Sequence, residues 1–302
     1  MTILPSPQQL RYLVALAETG HFGRAAAACG VTQSTLSAGV IALERQLDAA
    51  ILDRGSSKRA GFTPLGRELV ERARDALTAL AAVTETASAA RGPLSGPLRL
   101  GIIPTIGPFL LPRLMPALRA AHPRLRLWLR EELTARLGED LDAGRLDLLL
   151  LALPAGLPGV ETMALAEDPF VVALPHGHRL AERPAVPTAA LAAERLLLLE
   201  DGHCLREHAL SACALPAARA GEGFSGTSLH TLVQMVAGGL GVTLLPRLAV
   251  DGGVLSGATL EIRPLEEPAS RTIGLAWRAR SPRAGEFRGL ARVIADVLAA
   301  PG

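Results

Sequence analysis

The chain of 302 residues predicts an N-terminal all-α winged helix-turn-helix with a linker helix, then a C-terminal α/β part. The latter divides into two Rossmann-like lobes, arranged as in periplasmic-binding-protein-like domains. Three observations predict this. Two short helical segments flank the turn Gly30-Val31-Thr32, one long segment carries a heptad-like stripe, and strands alternate with helices beyond Leu98. At roughly 100–200 residues per domain, the length suits two domains. The expected limits are 1–64 for the helix-turn-helix, 65–91 for the linker helix and 92–302 for the α/β part. Within that part, one lobe takes 92–165 and 268–302, and the other takes 166–267.

Each element has a local reason. Leu10, Leu13, Val14 and Leu16 form the stripe of a first helix that breaks at Thr19-Gly20. A second helix spans 22–29, and Gly30 suits the left-handed residue that ends it. Thr32 or Gln33 opens a third helix through Leu36, Val40, Leu43 and Leu47. Two short helices joined by such a turn match a helix-turn-helix. The polar, glycine-punctuated stretch 53–62 reads as a small β-wing, and Thr63-Pro64 as an N-cap followed by proline.

From Leu65 to Thr86 the apolar positions Leu65, Leu69, Ala73, Ala76, Leu80, Val83 and Ala87 recur at steps of four and three. That seam favours contact with a second subunit. Arg91-Gly-Pro-Leu-Ser-Gly-Pro97 is a hinge. Strands are then expected at 98–103, 124–130 and 147–153, with helices at 108–121 and 133–143. This β-α-β-α-β order implies a parallel sheet. A second set follows, with strands at 170–174, 196–199, 242–245 and 272–277. Its helices are expected after His203, at 228–237 and at 286–298. Ligands favour the carboxyl ends of strands in such lobes.

Composition narrows the function classes. Net charge is only +2 and aromatic residues make up 3%. Whole-chain charge therefore neither announces nor excludes a nucleic-acid binder. No apolar run reaches the roughly 18 residues of a membrane span. The start MTILPSPQQLRYL lacks the basic-then-apolar pattern of a signal peptide. Three cysteines, Cys29, Cys204 and Cys213, are too scattered for a secreted disulfide framework. A cytoplasmic protein with reduced thiols and no membrane partner is expected.

A recognition helix presents short polar side chains at its N-terminus; here these are Gln33, Ser34, Thr35 and Ser37. Glutamine reads adenine bidentately, and hydroxyls touch bases or phosphates. Arg54, Lys58 and Arg59 near the wing are suited to phosphates. Seven Lys/Arg against four Asp/Glu over residues 1–67 give a weak basic excess. Cys29 is expected to be a small buried hydrophobe.

Residues 8–67 resemble the winged helix-turn-helix of LysR-type transcriptional regulators, through FGRAAAACGVTQSTLSAGVIALERQLDAAILDR and FTPLGREL. The second half resembles the peroxide-sensing members of that family, through SGPLRLGIIPTIGPFLLP, LLLLEDGHCLREHALSAC, TSLHTLVQMVAGGLGVTLLP and RTIGLAWR. Two departures stand out. Ala38-Gly39-Val40-Ile41-Ala42 puts small or apolar residues where relatives usually carry long polar ones, and Asp48 stands where they usually have glycine. The resemblance implies a non-enzymatic regulator of oxidative-stress genes that binds promoter double-stranded DNA as a homo-oligomer, a dimer of dimers. RNA polymerase and thiol reductants of glutaredoxin or thioredoxin type are implied as partners.

By the same resemblance, Cys204 is the thiol that peroxide oxidises and Cys213 the thiol that resolves it. A cysteine at a helix N-terminus next to cations leans toward thiolate; His203, Arg206 and Arg271 are the candidate cations. Peroxide takes thiolate to sulfenic acid, which condenses with a second thiol. If 205–213 is helical, the two Cα atoms lie about 13 Å apart, whereas a disulfide needs roughly 4.4–6.8 Å. Oxidation would therefore unwind the helix. Thr105, Thr134, His203, Glu207 and Arg271 are implied as the peroxide-binding set. On residues alone, Cys204 and Cys213 also read as two unrelated core thiols. No cofactor or metal is expected, because the offsets among His203, Cys204, His208 and Cys213 fit no usual zinc pattern. Two alternatives remain open: an organic inducer held between the lobes, and a thiol peroxidase.

Overall fold

The computed structural model describes residues 4–53, 61–89, 94–212 and 225–300. The wing tip with Arg54, Lys58 and Arg59, and the candidate resolving thiol Cys213, lie outside the described residues. The chain divides into two units, Met1–Ala87 and Ser88–Gly302.

In the first unit, α1 spans Pro7–Thr19, α2 Phe22–Cys29 and α3 Gln33–Leu47. Capping sets each start. Ser6 and Gln9 form a reciprocal capping box on α1, and the Thr32 hydroxyl accepts from the Thr35 amide at 3.2 Å on α3. Left-handed residues end them: Gly20, Gly30 and Asp48. Asp48, at φ 48°, thus occupies a backbone conformation that glycine adopts without strain. Leu16, Ala25, Leu36 and Val40 make the buried centre. Gly39 lets α3 approach α1 closely, because a Cβ there would meet the Tyr12 ring at 2.6 Å. The strands β1 Leu52–Asp53 and β2 Gly61–Phe62 pair antiparallel at the base of the wing.

The helix α4 spans Pro64–Ala89, opened by the Thr63 hydroxyl, which accepts from the Gly66 amide. Its expected seam divides. Leu69 and Ala73 pack on Leu13, Leu43 and Ile51 of the same unit, while Leu65, Leu80 and Val83 are exposed. No single described helix is long and apolar enough to cross a membrane.

In the second unit, β3 Gly96–Ile102 pairs in parallel with β4 Leu125–Glu131 and β5 Leu148–Leu153. The helices α5 Gly107–Ala121 and α6 Thr134–Asp142 follow β3 and β4. Next comes β6, Val160–Pro175, the longest strand. Its first part pairs antiparallel with β11 Ser270–Arg278, as far as Pro169 opposite Ser270. Its last part pairs with β9 Thr243–Pro246 and β10 Leu260–Pro264. The seven strands run β10-β6-β11-β5-β3-β4, with β9 also on β6. A small parallel pair, β7 Leu198–Leu199 and β8 Ser225–Gly226, completes the second lobe. So do α7 Thr188–Leu191, α8 Cys204–Ala212, α9 Leu229–Ala237 and α10 Arg247–Asp251. The helix α11, Ala284–Ala299, returns to the first lobe.

One buried core runs through both lobes. A strand expected only at 170–174 is therefore the second half of a strand that crosses between them. The polar Glu161, Glu167 and Asp168 and the break at Pro169 hide its first half from a purely apolar pattern.

Gly39→Ala should destabilise the first unit by about 1–3 kcal/mol, because the added methyl overpacks against Tyr12. Thermal unfolding of the full chain checks this, with loss confined to the transition of the first unit.

Candidate redox and DNA-contact sites

The side chains of the second unit that matter converge at the carboxyl ends of β3, β4 and β7. Thr105 follows β3, Thr134 opens α6 after β4, and Cys204 opens α8 after β7. Gly202, at φ 95°, supplies the turn before the cysteine that an L side chain would strain.

Arg271 organises the group. It sits on β11 directly opposite Asp168 on β6, and both side chains are almost wholly buried, at 0% and 3% exposure. Its Nε donates to Asp168 Oδ2 at 3.0 Å, and Nη2 lies 2.9 Å from the same oxygen. Nη1 donates to Thr105 Oγ1 at 2.7 Å and Nη2 to the Thr105 carbonyl at 2.9 Å. The other Asp168 oxygen accepts from the Leu248 amide at the start of α10. Because Thr105 Oγ1 accepts from the guanidinium, its own proton is left to point elsewhere.

Cys204 is a free thiol, partly buried against the core. Burial pushes its pKa up; the Thr134 hydroxyl, Arg271 and the backbone amide at the helix start pull it down, and Glu207 raises it again. The net direction is upward. The expectation of a thiolate-leaning cysteine is thus corrected: the helix terminus and Arg271 act in the foreseen sense, but desolvation outweighs them. Of the three candidate cations only Arg271 acts on the sulfur. Arg206 is turned to Asp201 at 3.1 Å and to the Leu199 carbonyl. The His203 pKa is lowered by burial, with Glu200 opposing, so its ring is neutral near pH 7. The exposed Glu207 works against the thiolate. Thr134 Oγ1 is buried without a hydrogen-bond partner among the described residues; it lies near enough to favour the thiolate, yet outside bonding geometry with the sulfur.

Sequence reasoning missed two members. Asp168 holds Arg271, and His208, one turn after Cys204, has a buried Nδ1 that is likewise unpartnered. Asp168 lies outside the quoted motifs and outside the expected strand, whereas His208 lies within LLLLEDGHCLREHALSAC but was weighed only as a zinc ligand. The helix α8 continues from Cys204 to Ala212, so that residue is about 12 Å along the axis from the thiol.

In the first unit, Gln33, Ser34 and Thr35 are exposed on the first turn of α3, and Ser37 is half-buried. The hydroxyls of Ser34 and Thr35 lie 2.9 and 2.8 Å from that of Thr32. Gln33 is therefore the freest long arm of the set. Cys29 is half-buried at the end of α2 rather than fully so, with Sγ 3.9 Å from the Arg11 carbonyl.

Asp168→Ala should cost about 3–5 kcal/mol, since it strands a buried guanidinium; urea unfolding of the second unit measures this. Alkylation of Cys204 by iodoacetamide should be slow at pH 7 and rise only above the ordinary thiol range. Arg271→Met should slow it further at every pH below that rise.

Two family descriptions match this chain. Residues 7–67 match the bacterial regulatory helix-turn-helix protein of the lysR family, and residues 91–299 match the LysR substrate binding domain. A probable hydrogen peroxide-inducible genes activator of Streptomyces viridosporus is 43% identical, over 97% of this chain and 95% of its own. The DNA-binding transcriptional dual regulator OxyR of Escherichia coli K12 is 42% identical, over 95% and 94%. Among solved structures, a full-length OxyR cysteine-to-aspartate variant from Pseudomonas aeruginosa superposes with a TM-score of 0.75 at 36% identity, covering 97% of this chain and 95% of that one. A peroxide-bound OxyR cysteine-to-serine variant from Corynebacterium glutamicum gives 0.67 at 32% identity, covering 99% and 94%. With both halves matched and such relatives spanning nearly its entire length, the protein belongs to the LysR family of bacterial regulators.

Proposed function

We propose that this protein is a hydrogen-peroxide-responsive, DNA-binding regulator of transcription, switched by the redox state of Cys204. The observation that carries the reading is the convergence on one free thiol of Thr134 and of Arg271, itself bonded to Thr105, at the start of a helix that runs on to Ala212. Residues 1–64 bind promoter DNA, 65–91 join two copies, and 92–302 sense peroxide; a dimer of dimers is the working assembly. Gln33, Ser34, Thr35 and Ser37 face the major groove, and Arg54, Lys58 and Arg59 contact phosphates.

The chemistry follows from the pocket. Peroxide is a donor and an acceptor, and the Thr105 and Thr134 hydroxyls offer both functions. Arg271 stabilises the thiolate in the minor population that attacks. The sulfur displaces hydroxide from HOOH, the thiol proton completes the leaving water, and Cys204 becomes a sulfenic acid. Neutral His203 orders the pocket rim. Cys213 then attacks the sulfenyl sulfur, expelling a second water and forming the disulfide. Helix α8 sets Ala212 about 12 Å along its axis from Cys204, so for the residue next in sequence to bond the Cys204 sulfur α8 must open. That opening alters the surface by which α/β units pack, and with it DNA affinity and contact with RNA polymerase. Glutaredoxin- or thioredoxin-type thiols reverse the step.

The test uses full-length protein. Cys204→Ser should abolish the peroxide response while preserving DNA binding, and Cys213→Ser should still yield a trappable sulfenic acid at Cys204. Hydrogen exchange should show residues 205–212 protected when reduced and unprotected when oxidised. A normal response in Cys204→Ser, or equal protection in both states, would sink the reading.

A further inference from the structure

We propose that oxidation of the Cys204–Cys213 pair takes up a proton at His208, so that acid favours reduction of the disulfide less steeply than its two thiols alone would dictate. The proposal rests on the opening of α8 set out under Proposed function. His208 lies four residues after Cys204 on the same helix, and so on the same face. Its Nδ1 is buried with no hydrogen-bond partner among the described residues. A buried polar atom left without a partner penalises the state that buries it. Helical α8 therefore carries a cost that opening removes, because water then reaches the ring.

The electrostatic setting gives the direction. Arg271 on β11 faces the imidazole and disfavours its charge, Glu207 on α8 favours it, and Asp168 on β6 stands behind Arg271 as its counter-ion. Burial adds to the effect of Arg271, and together they lower the His208 pKa. In opened α8 the ring returns toward the ordinary imidazole value of about 6.5. A depressed histidine pKa means that the helical state is fully favoured above that value and loses ground as pH falls below it. At His208 protons thus favour the open form, against the two protons that the thiols take up on reduction.

The balance is explicit. Reducing the disulfide takes two electrons and two protons, one on each sulfur. Below about pH 6.5 the oxidised form already carries a proton on His208, which reduction releases, so the net uptake falls from two protons to one. At fixed potential, the ratio of reduced to oxidised protein then changes about tenfold per pH unit rather than about a hundredfold, or about 30 mV rather than about 59 mV.

The experiment equilibrates full-length protein in dithiothreitol redox buffers from about pH 5 to about pH 8, around that imidazole value. Acid quenching, alkylation and mass spectrometry then count the two forms. With the buffer's own change with pH taken into account, the midpoint potential of wild-type protein should move by about 30 mV per pH unit below about pH 6.5, whereas that of His208→Gln moves by about 59 mV throughout. His203 is present in both proteins and cancels in the comparison. His208→Asn serves as a second variant, so that misfolding of one does not decide the result. Equal slopes in wild type and variant, on a disulfide that forms normally, overturn the His208 inference alone. Failure of the wild-type protein to form the Cys204–Cys213 disulfide at any potential overturns this inference together with the function on which it rests.

Discussion

The ion pair between Arg271 and Asp168 is the constraint around which the second unit is arranged. Two charges removed from water are tolerated only when each finds several partners. Here Asp168 also takes the Leu248 amide, and Arg271 also takes both oxygens of Thr105. One interaction thereby fixes four separate pieces of chain: two strands, the turn before α5 and the first turn of α10. The same guanidinium lies close enough to lower the Cys204 pKa. A frame that must be rigid to be stable thus presents a fixed positive charge to the sulfur.

The thiol beside it is held between opposing influences. Desolvation keeps it protonated and quiet, while Arg271, the Thr134 hydroxyl and the amide at the helix start lower the barrier to its anion. Such a balance suits a group that must ignore most solutes and yet react with one small oxidant. Any selectivity of such a thiol is then set by the shape and hydrogen-bonding groups around it rather than by a permanently exposed thiolate.

Much of this architecture was legible in the sequence, for identifiable reasons. Gly30, Thr32 and Thr63-Pro64 mark helix ends through local chemistry, and the structure places ends or caps at each. The alternation of 124–130 likewise gave β4, shifted by one residue. The long strand β6 was half hidden because its first residues pair with β11, more than a hundred positions away, and such pairing leaves no local pattern. Asp168 was invisible for the same reason, being 103 residues from Arg271. Arg271 and the two threonines stood out only through family resemblance; Arg271 and Thr105 prove to be bonded partners, and Thr134 bears on the thiol of Cys204. The sign of the Cys204 shift could not be read from neighbours in sequence, because burial is a property of the packed molecule. His208 sits within a quoted motif, yet its state was hidden, since an unpartnered nitrogen shows only when its surroundings are complete.

The uninterrupted course of β6 through both lobes has a mechanical meaning. Ligand-binding proteins of two lobes commonly signal by hinge closure, which needs strands that bend between the lobes. Here a single strand is hydrogen-bonded to β11 on one side of Pro169 and to β9 and β10 on the other. Its crossing point carries the buried Asp168. Rotation of one lobe against the other would shear that ladder and expose the pair. A molecule built this way keeps its two lobes in one posture, because the beam that joins them is held by its neighbours on both sides of the crossing.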